Sequence, residues 1–483
     1  MPYPQERASR IAHVPTVMSP AVSDALKRWV TPSVDPPKER PHITDRCMPI
    51  ESLATDQRPE PNYAIAFDGS NQEVEARAGY PSVRVGFLQI AGVYVDIPRF
   101  LNANSTGLVN ARELERSQKT QTVNSVLPGS GVHIEGMTGK ASWRMELARS
   151  FTDAGIDDFG TKFTLADALM TIHGTLGHPA TSISLAKCAT CGSGGAPVQL
   201  VTTAGGNCSD AKCGARMELT DVLRLYEEFA EEGENILPLT RAMNIAERLL
   251  LISYLDGFYK ASPVSLARGI FITDGPLAVY GPIAPMKTRF REYWEALCAE
   301  LEARDTAPPL IVGIEKTGRF VDHARAIQQF VPEGNVMMLD TPYINRYITN
   351  QSEAHFYGKD EFYGRRFIYR TRTGEVLVVT VPRVPGGPPY EKPEKGSDGK
   401  FLYKASEDFA SYPTLRATLE VLDLMQTRLY PNAVIPVALA HSASSLPLGT
   451  GRSVLTLLAQ QSLGVPQNSI SLSRFKVQGP RHR

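Results

Sequence analysis

Apolar positions in the first half of the chain predict a few strands followed by helices. The segments YAIAFDGS, EVEAR and SVRVGFLQIAGVYVDI lie between residues 63 and 97 and are either continuously apolar or nearly alternating. Such runs are typical of strands, and their close spacing predicts an antiparallel meander of three strands. Apolar residues recur at helical spacing over residues 141–175. A further helix is predicted over LTDVLRLYEEFAEEG, with Thr220 as its N-cap.

From residue 240 onward, helices and strands alternate. The pattern predicts, in chain order, a long helix over TRAMNIAERLLLISYLDGFY, a strand over GIFITDGPLAVYG with a turn at Asp274-Gly275-Pro276, a helix over TRFREYWEALCAELEAR, a strand over PLIVGIEK, a helix over VDHARAIQQF, a strand over NVMML and a hairpin over RRFIYRTRTGEVLVVTVP. A helix over LRATLEVLDLMQTRLY, an apolar strand over AVIPVALA and a last helix from about Ser453 follow. This alternation is the mark of a layered α/β core.

Proline and glycine mark the boundaries between segments of the chain. Eleven prolines fall within residues 1–61, which predicts an extended arm over residues 1–60. An α/β domain is predicted over residues 61–465, with a cysteine-containing insertion over 185–216. Residues 381–400 hold five prolines and four glycines and are predicted to form a surface loop.

Composition narrows the class of protein. Hydrophobic residues make up 42% of the 483 residues and charged residues 21%, which excludes wholesale disorder. No apolar run approaches the ~18 residues of a membrane span, and the N-terminus lacks the apolar region of a signal peptide. Lys+Arg and Asp+Glu both number 51, whereas a non-specific DNA coater is usually basic. A nucleic-acid partner would therefore be held in a local groove, or through metal ions and a second protein.

Four of the six cysteines form the most specific local motif. Cys188 and Cys191 make one pair, and Cys208 and Cys213 make a second pair after sixteen residues. This spacing predicts two knuckles closing on a structural Zn²⁺ ion, in a ribbon with no open position for water. The alternative is four unrelated buried cysteines. Clustered cysteines in a chain without a secretory signal indicate the reducing cytoplasm rather than a disulfide framework.

Two aspartates are predicted at the ends of apolar strands. Asp68 and Asp274 each end such a strand and are each followed by glycine. Converging strand-end carboxylates hold Mg²⁺ or Mn²⁺ ions in many nucleases. Taken singly, each aspartate could equally be a turn residue, because Asp-Gly is a common turn pair.

Several motifs occur together in an order that resembles the NurA nuclease family. They are YAIAFDGS, the helix containing Glu247, FITDGPL, LIVGIEKTGRF and VIPVALAHS, and they span roughly residues 60–460. The resemblance implies an RNase H-like mixed sheet flanked by helices, which here carries a four-cysteine zinc ribbon and an N-terminal arm. It also implies a nuclease that acts on DNA, forms a homodimer and works with a HerA-type hexameric ATPase.

The resemblance also assigns roles to individual residues. Asp68, Asp274 and Glu247 match the family's metal-binding carboxylates, and His441 matches a C-terminal histidine that binds metal or orients water. Lys316, three residues before Arg319, could hold the scissile phosphate. Three of these residues could instead have no part in catalysis. Glu247 could be a solvated glutamate on a helix face, His441 a structural histidine and Lys316 a solvated lysine at a strand end.

The leading hypothesis is a cytoplasmic Mn²⁺- or Mg²⁺-dependent deoxyribonuclease that trims DNA ends or cuts single strands, in DNA repair or in defence against phage. One alternative is a non-catalytic adaptor that docks on the ATPase, and a weaker one is a zinc-ribbon DNA-binding regulator. No phosphate-binding loop with the pattern G-x-x-x-x-G-K-[ST] occurs in the sequence, so ATP hydrolysis is not expected of this chain.

Overall fold

The computed structural model describes residues 14–29, 42–77, 82–104, 116–194, 199–351, 357–358, 361–385, 392–395, 401–404, 408–427, 433–446 and 450–464. Residues 1–13 and 30–41 of the predicted arm lie outside this set. The last part of the arm packs on the domain, because Cys47–Pro49 pairs with an edge of the sheet and Ile50 is fully buried.

Within the described residues, nine strands form one mixed sheet. They are β1 Cys47–Pro49, β2 Tyr63–Arg77, β3 Val83–Asp96, β4 Gln118–Pro128, β5 Gly269–Asp274, β6 Leu310–Glu315, β7 Asn335–Met338, β8 Arg365–Arg370 and β9 Val376–Val381. Their order across the sheet is β1-β7-β8-β9-β6-β5-β2-β3-β4. Strands β2, β3 and β4 are antiparallel, whereas β5 is parallel to both β2 and β6. The predicted RNase H-like mixed sheet is confirmed.

The predicted meander is present, but its strands differ from those expected. YAIAFDGS and EVEAR belong to one strand, β2, which continues without a turn through Asp68 and Gly69. The third strand is β4, which the sequence pattern did not reveal. It lies at the edge of the sheet and only Val123 and Leu127 are fully buried in it, so its apolar signal is weak.

Helices cover both faces of the sheet. The helices in chain order are α1 Val14–Val17, α2 Pro20–Arg28, α3 Ile97–Asn104, α4 Gly139–Asp153, α5 Leu165–His173, α6 Ile236–Ala261, α7 Met286–Glu302, α8 Arg319–Ile327, α9 Thr341–Ile344, α10 Leu415–Leu424, α11 Ile435–Ser444 and α12 Thr450–Ser462, of which α1 and α2 bury no residue. The helix over TRAMNIAERLLLISYLDGFY is confirmed as α6. Buried residues surround most of its circumference, as in a helix enclosed by the core. No helix among the described residues is long and apolar enough to cross a bilayer.

Alternate side chains of the central strands enter two separate cores. In β2, Ile65 and Phe67 pack with residues of α4 to α7 on what we call the α6 face. Ala64 and Ala66 point the other way and pack with residues of α10 and α11, on the α11 face. The same alternation continues in β5 and β6. The position of a residue in this alternation therefore decides which face of the sheet its side chain approaches.

The helix predicted over LTDVLRLYEEFAEEG is wrong. The structure has two 3₁₀ turns there, Leu219–Leu223 and Leu225–Glu227, separated by Arg224 with φ 57°. Asp221 accepts a hydrogen bond from the Glu218 N–H and forms a buried ion pair with Arg144. These contacts compete with a regular α-helix and override its intrinsic propensity.

The predicted surface loop over residues 381–400 is described only in part. Lys392–Lys395 within it pairs with Phe401–Lys404 in a two-stranded ribbon, and residues 386–391 and 396–400 lie outside the described set.

Candidate active site and metal site

Strand alternation brings three of the predicted charged residues to the α11 face. Asp68 in β2, Asp274 at the end of β5 and Lys316 directly after β6 continue the alternate positions that point to this face. Because the three strands are parallel neighbours, their side chains lie side by side. The prediction that Asp68 ends a strand is wrong, because Asp68 lies inside the long strand β2. It is therefore not a turn residue.

His441 reaches the same point from a helix rather than from a strand. The strand predicted over AVIPVALA is wrong, because Ala433–Val434 is followed at once by α11, with Pro436 in its first turn. A short apolar run does not distinguish a strand from a buried helix, and proline at this position favours the helix.

Hydrogen bonds to β2 and β3 fix α11 over the site. The Gln89 amide donates to the Ala443 carbonyl at 2.7 Å. The Ser70 hydroxyl donates to the Ser444 carbonyl and accepts from the Leu446 N–H. Ser70 and Gln89 therefore support the position of His441, although the sequence analysis did not single them out.

The charged groups meet at short distances. His441 Nδ1 lies 2.7 Å from Asp68 Oδ2, and Lys316 Nζ lies 3.0 Å from Asp274 Oδ2 and 3.9 Å from Asp68 Oδ2. Asp68, Asp274 and His441 each offer one ligand atom, and these three atoms lie within 4.8 Å of one another. Both Lys316 and His441 contact the carboxylates, so Lys316 is not a solvated strand-end lysine.

The raised pKa of Asp68 indicates that an added positive charge would be stabilised beside it. Burial raises the pKa of Asp68 to about 6, and the negative charge of Asp274 acts in the same direction. Lys316 and His441 oppose this shift and lower the pKa of Asp68. Two crowded carboxylates favour any cation that enters between them.

Glu247 approaches Asp68 from the other side of the sheet. It lies on α6 and is only 3% exposed, which excludes a solvated helix face. A Cβ atom at Gly69 would come within 2.8 Å of Glu247 Oε1, so the glycine permits the close approach of α6 to β2. Glu247 is not a member of the group whose ligand atoms lie within 4.8 Å. Burial raises its pKa to about 8; Arg248 opposes this shift, and Asp68 and Asp274 add to it.

Arg248 is a site residue that the sequence analysis missed. Its guanidinium donates to the Pro276 carbonyl at 3.0 Å, to the Ala278 carbonyl at 2.9 Å and to Glu247 Oε2 at 2.9 Å. It therefore ties α6 to the loop that follows Asp274. The available signal was the adjacent Glu-Arg pair inside an otherwise apolar helix, since buried charges are rare unless paired.

The residues around Asp68 fit a hard divalent cation. Two carboxylates and one imidazole are available within 4.8 Å, and Lys316 shows that this position attracts positive charge. Oxygen ligands suit both Mg²⁺ and Mn²⁺, and the imidazole favours Mn²⁺. Asp68, Asp274 and His441 would hold the ion, with Glu247 close behind β2.

The four cysteines of the insertion form a second cluster. The ligand sulfurs of Cys188, Cys191, Cys208 and Cys213 all lie within 4.8 Å of one another, which excludes four unrelated buried cysteines. The segment is shaped by two short ribbons, Ile183–Leu185 with Gln199–Val201 and Gly206–Asn207 with Arg216–Met217.

The sulfur geometry fits a tetrahedral ion. Cys191 Sγ and Cys208 Sγ are 3.7 Å apart, and sulfurs bound ~2.3 Å from one tetrahedral ion are about 3.8 Å apart. Hydrogen bonding with Ser193 lowers the pKa of the Cys191 thiol to about 6, whereas burial raises that of Cys208 to about 12. Four thiols at this distance suit Zn²⁺ in a closed, structural role.

The sequence matches no protein-family model and no curated protein. Structure comparison matches it to a crystal structure of the NurA nuclease from Sulfolobus solfataricus with 11% identity and a TM-score of 0.32, covering 95% of this chain and 98% of that one. A second match, a crystal structure of NurA, has 8% identity and a TM-score of 0.27, and covers 94% and 99% of the two chains. Likeness at this level does not establish a family, so the function is inferred from the side chains themselves.

Replacing Cys191 with serine is expected to lower zinc affinity by more than about 100-fold, because loss of outer-shell partners alone costs about 10- to 100-fold. Zinc content after dialysis against a chelator measures the effect. Cys47→Ser is the matched control, since Cys47 lies outside the cluster. Equal zinc content in the two variants would contradict a four-cysteine zinc site.

Replacing Gly69 with alanine is expected to displace Glu247 and destabilise the protein by about 1 to 3 kcal/mol, because the added methyl group overpacks a closed contact. Thermal unfolding measures the loss. Gly92→Ala in β3 is the control, since a Cβ there would meet only ordinary contacts at 3.4 Å or more. Equal melting temperatures for both variants would show that α6 does not press on β2 at Gly69.

Proposed function

We propose that this protein is a metal-dependent deoxyribonuclease that hydrolyses phosphodiester bonds. The observation that carries the proposal is the convergence of Asp68, Asp274 and His441 within 4.8 Å, beside the Lys316 ammonium group. A divalent ion bound by such ligands supplies Lewis-acid polarisation of a phosphoryl oxygen and neutralises its charge. The choice of DNA as substrate follows from the resemblance of the ordered motifs to the NurA family.

The surrounding residues have separate roles in this proposal. Lys316 binds a non-bridging oxygen of the scissile phosphate, to which its ammonium group gives a charge-assisted hydrogen bond. His441, whose side chain is 62% exposed, faces the substrate side and has one of two roles there: it binds the ion, or it transfers a proton to or from the reacting water or the leaving oxygen. Arg248 and Glu247 position the carboxylates from behind the sheet.

The wider setting of the reaction is also part of the proposal. The chain acts in the cytoplasm as a homodimer on DNA supplied by a HerA-type hexameric ATPase, in repair or in defence against phage. Mn²⁺ or Mg²⁺ serves catalysis and Zn²⁺ stabilises the ribbon. The zero net charge of the chain is consistent with borrowing DNA affinity from a translocase.

Incubation of labelled single- and double-stranded DNA with the purified full chain tests the proposal. Cleavage is expected with Mn²⁺ and not with a chelator, and a HerA-type ATPase is expected to stimulate it. The absence of cleavage with Mn²⁺ both with and without the ATPase would overturn the nuclease and favour the non-catalytic adaptor.

Replacing His441 with alanine is expected to lower the cleavage rate by about 10²- to 10⁴-fold, the usual contribution of one proton-transfer group. Single-turnover rates with Mn²⁺ measure the effect. His133→Ala is a control on another surface, since His133 lines a separate apolar groove at β4. A rate within a factor of about two of the control would remove His441 from the site.

A further inference from the structure

A cavity of about 360 Å³ lies between the cysteine insertion and the first turn of α7. Ala186 and Lys187, which directly precede Cys188, form one side, and Ile283 and Met286 form the other. The proposed nuclease chemistry does not use this cavity. Its walls come from the insertion, the 3₁₀ turns and the chain that follows β5.

Cations from three separate elements line the cavity. They are Lys187, Arg224 and Arg289, set against two carboxylates in the wall, Asp221 and Glu292. Asp221 is already neutralised by its buried ion pair with Arg144, so the wall has an excess of positive charge.

The cavity cations are held by exposed partners that an incoming anion could replace. Lys187 and Arg224 share one carboxylate, that of Glu227, at 3.0 Å and 2.8 Å. Arg289 pairs with Glu292 on the same helix at 3.0 Å. The Lys187–Glu227 and Arg289–Glu292 pairs are single contacts that contribute little stability, so little is lost when these two cations turn to a ligand. Arg224 is held more firmly, because it donates two hydrogen bonds to Glu227, at 2.9 and 2.8 Å.

A polar atom without a partner in the described part of the chain and a helix terminus also lie at this place. His173 Nε2 is buried at the cavity and has no hydrogen-bond partner among the described residues. Burial, with the charge of Arg289, lowers the pKa of His173 to about 4, so the ring beside the cavity is neutral near pH 7. Met286 and Thr288 place the first turn of the seventeen-residue helix α7 in the wall, where the positive end of the helix dipole favours negative charge, although the Lys287 and Thr288 N–H groups already donate to the Ala284 and Pro285 carbonyls.

We infer that this cavity binds a backbone phosphate of the DNA strand, away from the phosphate that is cut. The inference rests on the proposed function for the identity of the strand. Asp274 and Pro282, which lines the cavity, are eight residues apart in the chain, so they lie at most about 29 Å apart. At ~3.4 Å per phosphate along one strand, a direct path of that length corresponds to about eight or nine nucleotides, and a strand that passes over the sheet edge from the α11 face to the α6 face covers more.

Binding of fluorescent oligothymidylates of about 4 to about 16 nucleotides tests the inference. Anisotropy is measured on the full chain without added Mn²⁺ or Mg²⁺, so that no strand is cut. The wild-type protein is expected to gain affinity once a strand reaches both sites. Arg289→Gln is expected to lose that gain, with about a 10-fold higher Kd for the longest strand and a salt slope lower by about 0.7.

Arg291→Gln is the matched control, because Arg291 lies on the same helix, pairs with Glu295 and does not line the cavity. Equal affinities and salt slopes for Arg289→Gln and Arg291→Gln would overturn the inference. So would a result in which inorganic phosphate or thymidine monophosphate binds in an Arg289-dependent way while long strands bind both variants equally.

The binding test is independent of cleavage. Arg289-dependent, length-dependent binding in a protein that fails to cleave DNA with Mn²⁺ would refute the nuclease and support the cavity. Cleavage by wild type with no effect of Arg289→Gln on binding would do the reverse.

Discussion

Replacing Asp68 with asparagine is expected to reduce DNA cleavage by at least about 10³-fold while leaving DNA binding nearly unchanged. Asp68 lies between the other groups, with His441 at 2.7 Å and Lys316 at 3.9 Å. The amide keeps the size of the side chain but removes the negative charge that attracts a divalent ion. Single-turnover cleavage with Mn²⁺, together with oligonucleotide binding, separates loss of chemistry from loss of affinity.

Asp158→Asn is the matched control for this loss. Asp158 is also a carboxylate that accepts hydrogen bonds, from Tyr254 and Gln121, but it lies outside the group formed by Asp68, Asp274 and His441. Its variant is expected to keep its cleavage rate. Full activity of Asp68→Asn would end the metal-site interpretation, whatever the DNA affinity.

Replacing Arg248 with methionine is expected to lower the free energy of unfolding by about 3 to 5 kcal/mol. Methionine occupies similar space but leaves the carbonyls of Pro276 and Ala278 without their buried donor. The loop after Asp274 then loses its link to α6, so cleavage should fall as well. Denaturant unfolding measures the stability change.

Arg304→Met is the control for Arg248, because Arg304 makes an exposed pair with Glu300 and its loss is expected to cost less than about 1 kcal/mol. Arg248→Lys should recover part of the stability, since lysine restores the charge but not the forked geometry. Equal stability of the two methionine variants would show that the Arg248 contacts are not structural.

The sequence predicted those parts of the site that depend on strands buried on both faces. Asp274 ends β5 and Lys316 follows β6, and both strands were predicted from continuous apolar runs, although the first of them was predicted through Gly281 and ends at Asp274. Asp68 was predicted as a site residue. Its strand was wrongly divided in two, because Asp-Gly was interpreted as a turn. The actual reason for Gly69 is the approach of Glu247, a tertiary contact that local pattern does not encode.

Other features of the structure depend on contacts between residues that are far apart in the sequence. His441 was predicted from the order of the motifs, but its helix was predicted as a strand because the apolar run is too short to show a period. Arg248 was overlooked because its partners, Pro276 and Ala278, lie on the far side of a turn. The 3₁₀ turns at Leu219–Leu223 depend on the Arg144–Asp221 pair, which also joins separate segments.

The contact between Asp68 and His441 joins residues 373 positions apart. During synthesis at the ribosome, the strands that carry Asp68, Asp274 and Lys316 emerge long before α11 does. A chain released early, before Ile435, would lack both the histidine and the helix that covers the carboxylates. Complete translation is therefore a precondition for an assembled centre, and under the proposed function shortened products are expected to cleave DNA more slowly than the full chain does.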